Sequence, residues 1–117
     1  MGHPTIYPTG VTVYNPEKCW NGFTIFQALE VGAVLMNMNG RENKVWKGVH
    51  GFPNKIFPGG YLMTSRGSRD GRYGVQDGLD LVQIDWDGNV VWKFDRNEYI
   101  EDPGIPGRWM ARSHHDY

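Results

Sequence analysis

A chain of 117 residues with a single cysteine, a formal net charge of -1 and 39% hydrophobic residues has room for one core, burying roughly 65% of the surface its unfolded form exposes. The near-neutral balance gives no electrostatic basis for binding nucleic acid or an anionic membrane, and the lone Cys19 excludes an intrachain disulfide or a cysteine-based zinc cage. Sixteen glycines, seven prolines and 14% aromatic residues favour short strands joined by tight turns, so the expected class is all-β.

The chain opens with MGHPTIYPTG, which lacks a basic stretch followed by an apolar run. No segment approaches 18 consecutive apolar residues, so neither export nor membrane spanning is supported. His3 lies in this stretch and carries little signal. Residues 22–27, 33–38 and 43–47 read as three strands, the last two joined across Asn39-Gly40 by a turn read as about two residues longer than its later counterpart. His50 then opens a second unit. Residues 54–57 and 61–65 read as strands about the Pro58-Gly59-Gly60 turn, and 81–85 pairs with 90–94 across Asp87-Gly88, a strong hairpin signal because glycine accepts the positive φ of a tight turn.

Between these strands lies RGSRDGRYGVQDG, with three arginines and four glycines. Glycine lets backbone N–H groups converge on an anion, but the spacing is not that of a phosphate loop, and a long solvated connection is the better reading. Trp46 and Trp92 stand 46 residues apart, within the range of one propeller blade, and both are expected to pack between blades. Residues 97–107 read as an acidic connector bearing Pro and Gly, and 109–117 as the start of something new. The expected fold is thus a partial β-propeller of roughly two four-stranded antiparallel blades, with units at about 22–47 and 50–95 and the start of a further blade at 109–117.

The last residues, RSHHDY, hold the candidate chemistry. By the repeat, His114 and His115 stand where another first strand begins, as His50 stands in the second unit. Asp116 could orient one imidazole while the other binds an anion. Arg112, two positions before His114 and on the same face if extended, is a candidate anion contact. The plain alternatives are a solvated tail for 114–116, a surface charge for Arg112 and a turn or packing role for His50.

The segments YPTGVTVYNPEKCWNGFTIF, HGFPNKIFPGGYLM, LDLVQIDWDGNVVWKFDR and RWMARSHHDY resemble the N-terminal part of the bacterial arylsulfotransferase (aryl-sulfate sulfotransferase) family, over nearly the whole chain from about Tyr7 to Tyr117. The resemblance implies a six-bladed propeller whose channel takes aryl sulfates and phenols and passes a sulfuryl group between them through a transiently sulfated histidine. A neutral imidazole is a competent nucleophile near neutral pH, and cationic donors offset charge on the transferred group. It further implies a supporting catalytic role for His115, sulfate binding by His114, His50 and Arg112, no cofactor and no metal, and a periplasmic or extracytoplasmic location; without the resemblance, a cytoplasmic location is the expectation.

Six blades of about 45 residues need on the order of 270 residues, so the family's nucleophilic histidine, which lies further along, is not expected among these 117. The competing function is a non-catalytic propeller-type binding or scaffold module. In either case the outermost blade faces, carrying Ile25, Leu35, Ile84 and Val91, are predicted to lack an internal partner. The chain is therefore expected to self-associate or to need a complementing chain.

Overall fold

The computed structural model describes residues 11, 13–51, 53–67 and 80–111. Among them are nine strands and no helix: β1 (Thr24–Ala28), β2 (Gly32–Met36), β3 (Glu42–Lys47), β4 (Lys55–Phe57), β5 (Tyr61–Thr64), β6 (Leu81–Ile84), β7 (Val90–Phe94), β8 (Asn97–Asp102) and β9 (Ile105–Ala111). They form three antiparallel sheets in the orders β1-β2-β3, β4-β5-β6-β7 and β8-β9. The all-β expectation holds, and the expected strands of the first two sheets fall within a residue or two of the observed ones.

Side-chain alternation decides which faces meet. In the second sheet Leu62 pairs with Ile84 and Thr64 with Val82, and all four are buried on one face. In the first sheet Ala33 pairs with Trp46 and Ile25 with Leu35. These two faces make the core: Ala33, Leu35 and Trp46 from one side, Leu62, Val82 and Ile84 from the other, with Val49 between and Ile25 packed against them. Each fully buried aliphatic side chain here contributes about 1.5–3 kcal/mol over leaving it exposed. This corrects the expectation for Ile25, Leu35 and Ile84. They lie on the two faces that cover each other, and of the four only Val91 is left exposed.

Trp46 closes this seam. Its ring is 3% exposed, meets Trp86 edge-on at 5.3 Å between centroids, and donates Nε1–H to the Asp85 carbonyl at 3.1 Å. The edge-to-face arrangement suits the ring quadrupoles. The Lys44 ammonium stands 5.9 and 5.4 Å from the Trp46 and Trp86 centroids. Gly32 permits the strand pairing beside it: with φ at +139°, a Cβ there would run into the Trp46 carbonyl.

The two hairpins repeat the same backbone hydrogen bonds. The Asn37 N–H donates to Arg41 O and the Gly40 N–H to Asn37 O; the Asp85 N–H donates to Asn89 O and the Gly88 N–H to Asp85 O. Asn37 Oδ1 accepts from the Arg41 N–H as Asp85 Oδ1 does from the Asn89 N–H. Gly40 and Gly88 have φ of 76° and 90°, a conformation glycine adopts without a Cβ penalty. Each turn is followed by a bulge, leaving Asn43 and Val91 out of register. The turns are therefore equal in length, and the two extra residues of the first hairpin lie in its strand.

A consequence is that Trp46 and Trp92 are not equivalent. Measured from the turns, Trp46 corresponds to Phe94 and Lys44 to Trp92, at a spacing of 48 residues. Trp92 is 46% exposed, so its expected packing between two sheets is not observed.

Residues 97–107, read from sequence as a connector, instead belong to a hairpin. β8 and β9 pair around Pro103-Gly104, with Gly104 at φ 82°, the combination that a proline-glycine turn supplies. Pro106 falls in the register shift between Ile100 and Asp102, where no ladder bond needs its missing N–H. Tyr99 and Trp109 meet edge-on across the pair at 5.8 Å.

Candidate functional site at the His50 seam

Of the residues singled out from sequence, His50 lies among the described ones; Arg112, His114, His115 and Asp116 lie outside them, as does most of the 66–78 loop. β3 ends at Lys47, the chain turns at Gly48 with φ 70°, Val49 enters the core, and His50 emerges exposed. Its backbone is fixed: the His50 N–H donates to Ser65 O at 2.7 Å. The imidazole is thus held at the start of the second unit with its ring open to solvent.

Beneath it runs a chain of polar side chains. The Gln27 amide donates to Val49 O at 2.9 Å, and Asn54 Nδ2 donates to Gln27 Oε1 at 2.9 Å. Thr64 Oγ1 donates to Asn54 Oδ1 at 2.7 Å, a bond that is buried. Gly51 is required here because a Cβ would overlap the Asn54 and Thr64 side chains. The network ties β1 of the first sheet to β5 of the second, and buried polar groups of this kind are stable only when their bonds are made.

Next to it, one oxygen of Asp80 gathers three donors: the Ser65 hydroxyl at 2.9 Å, the Arg66 N–H at 2.8 Å and the Gly67 N–H at 2.9 Å. Consecutive backbone N–H groups converging in this way form an anion-binding concavity. The anion it holds is the chain's own carboxylate, and the contact pins the two ends of the glycine-rich loop together. Gln27, Asn54, Thr64, Ser65 and Asp80 escape a reading of the sequence for catalytic residue types. Their one signal is Thr64, a polar residue at a position in phase with inward-facing Leu62.

On the outer side of the same seam is a cavity of about 290 Å³ bordered by Lys44, Trp46, Lys47, Arg66, Ile84 and Asp87. Three cationic side chains face one carboxylate there, so its rim favours an anion. Asp85 lies beyond it in the β6–β7 turn. Hydrogen bonds from the Asn89 side-chain amide, then from the Asn89 N–H, and more weakly from those of Asp87 and Gly88, hold its carboxyl below the ordinary aspartate value despite the opposing effect of desolvation. Among the described residues no three His, Cys, Asp or Glu side chains come together as a metal site, and no helix is long and apolar enough to cross a membrane.

Comparison of the chain with protein-family models, with curated proteins and with solved structures finds no match.

Proposed function

We propose that the β1–β3 and β4–β7 sheets of this chain are two successive units of an arylsulfotransferase-like propeller, related to enzymes that move a sulfuryl group from an aryl sulfate to a phenol. The observation that carries the reading is the stacking of one sheet on the next through a repeated hairpin geometry, with Trp46 of the first sheet bonded to the turn of the second. Blades of a propeller pack on one another face to face around a ring, and the first sheet packs on the second in this way. In this reading His50, anchored through Ser65, faces the central channel. His114 and Arg112 join it in holding sulfate, and His115 supports the reaction.

In the transfer, the sulfur–oxygen bond to the donor phenol breaks as a sulfur–nitrogen bond to a histidine forms; that bond then breaks as the acceptor phenolate oxygen takes the sulfur. The donor phenolate leaves with the electron pair, and the proton that the acceptor gives up ends on the donor oxygen, so that a sulfate ester and a phenol are exchanged for a sulfate ester and a phenol. The histidine that is sulfated is not assigned within this chain, and the missing units come from further sequence or from a complementing chain. A location outside the cytoplasm belongs to the same proposal.

The test uses 4-nitrophenyl sulfate as donor and a second phenol as acceptor, with the chain alone and with His50→Ala and His115→Ala. Phenol-dependent release of 4-nitrophenol that falls in either variant supports the proposal, as does a selective shift of the His50 imidazole resonances on adding the sulfate ester without turnover. Neither release nor shift would remove it. A second reading, a non-catalytic binding or scaffold module, is favoured by the cavity at Lys44, Lys47 and Arg66. It expects anion binding that is insensitive to His50→Ala.

A further inference from the structure

The second sheet has two faces, and one is covered. The other carries Phe57 and Tyr61, which pair with each other, then Gln83 beside Trp92 and Leu81 beside Phe94. Phe57, Tyr61 and Trp92 are 40%, 37% and 46% exposed. A contiguous aromatic face of this kind marks an interaction surface. The structure also indicates what shape covers it. Counting from the equivalent turns, Leu81, Gln83, Trp92 and Phe94 correspond to Ala33, Leu35, Lys44 and Trp46. That face of the first sheet is covered by the Val82 and Ile84 face of β6 and by the Asp85–Gly88 turn.

Among the described residues there is one other surface built on that plan. By the same correspondence, Val82 and Ile84 match Val34 and Met36, and the Asp85–Gly88 turn matches Asn37–Gly40 with the same internal bonds. Phe26 and Thr24 pair with Val34 and Met36 on this outer face of the first sheet; Val34 is already buried at 4% within the chain, and Phe26, 40% exposed, with half-buried Met36 forms the part left open.

We infer that a second copy of the chain docks its β1–β3 outer face, with Phe26 and Met36, onto the β4–β7 outer face at Tyr61, Trp92 and Phe94, continuing the internal seam head to tail. Met38 of the second copy then stands toward Phe94 as Trp86 stands toward Trp46. The Phe94 ring has no N–H to offer a turn carbonyl, so the contact between copies lacks the hydrogen bond that the Trp46 indole makes in the internal one and is weaker than it. Because the two surfaces differ, the interface is heterologous, and copies can add in sequence rather than stop at a symmetric dimer. The inference concerns the repeat geometry and stands whether or not the chain transfers sulfuryl groups.

Sedimentation velocity over a micromolar concentration series tests it. The full chain is expected to self-associate, and Trp92→Asp and Phe26→Asp are each expected to weaken association at least tenfold. Tyr61→Asp serves in place of Trp92→Asp if far-UV circular dichroism shows the latter misfolded. The decisive measurement mixes the two variants. Each keeps the surface the other has lost, so the mixture is expected to form a one-to-one heterodimer that grows no further. A monomeric wild-type chain across the series overturns the inference, including the case in which β8–β9 folds over the face. Self-association that survives Phe26→Asp, or a mixture that fails to pair, overturns it in favour of a symmetric contact or another occupant.

Discussion

Trp46 and Phe94 occupy corresponding places in two hairpins with the same turn, yet one is sealed in a seam and the other lies on an open sheet face. The local sequence around each is adequate to form the strand, the bulge and the glycine turn. What differs is whether a further sheet lies against it. Local structure in this molecule is therefore repeated, whereas stabilisation is concentrated where one repeat meets the next. The core residues Ala33, Leu35, Leu62, Val82 and Ile84 all lie at that junction.

The sharpest way to break this contrast is truncation of the two tryptophans that the sequence places 46 residues apart. Trp46→Ala empties a buried site and removes one of the two hydrogen bonds to the Asp85 carbonyl, and is expected to cost about 3–5 kcal/mol. Trp92→Ala, at a dilute concentration where copies do not associate, is expected to cost under about 1 kcal/mol. Urea titration followed by far-UV circular dichroism measures both; equal losses would mean that the seam is not where stability resides.

Thr64→Val probes the polar part of the same junction. It keeps the shape but leaves buried Asn54 Oδ1 without its donor, at an expected cost of about 1–3 kcal/mol. A loss confined to the β4–β7 sheet in hydrogen exchange would show the two sheets to be less coupled than the network implies.

The turns themselves are expected to behave alike. Gly40→Ala and Gly88→Ala each force a Cβ into a positive-φ conformation and are expected to cost about 1 kcal/mol, with the two values agreeing to within about 0.5 kcal/mol. A large difference would show that one turn is strained by its surroundings rather than by its own geometry.

The smallest effect separates the turns by pH. The Asp85 carboxyl titrates below its ordinary value because Asn89 bonds to it, so its contribution to stability is complete above the unfolded aspartate pKa of about 3.9. It is lost as pH falls through the lower folded value. Asn37, the matching residue, has no such titration. Asp85→Asn is expected to flatten the acid side of the stability profile slightly, and Asn37→Asp to steepen it, as read from thermal unfolding between neutral and acidic pH.

Much of the first two sheets is legible in the sequence because apolar alternation and glycine turns coincide there, as at Leu81–Ile84 and Val90–Phe94. The error over Trp92 has a definite source. Two extra residues between a glycine turn and a tryptophan look the same in sequence whether they lengthen the turn or the strand, and only the register of Glu42 and Lys44 against Met36 and Leu35 distinguishes them. The β8–β9 hairpin is obscured by Pro103 and Pro106, which read as breaks; one instead forms the turn and the other sits at an irregularity in the ladder. Asp-Pro-Gly was a turn signature in its own right. Of the candidate site, the position of His50 is legible and Thr64 shows only as a polar residue in phase with Leu62, since Gln27, Asn54 and Asp80 act through long-range hydrogen bonds that leave no local pattern.

The burial of Trp46 also gives the molecule an optical signature. Its indole is the single one of the five shielded from water, the other four being 42% to 96% exposed. Emission excited at the red edge of the indole band should therefore contain one blue-shifted component that acrylamide quenches poorly, set against a solvent-like background from Trp20, Trp86, Trp92 and Trp109. Trp46→Phe should remove that component alone. Followed in time after dilution from denaturant, its appearance would date the docking of one sheet on the other separately from the closing of each hairpin, using no label beyond the chain's own side chain.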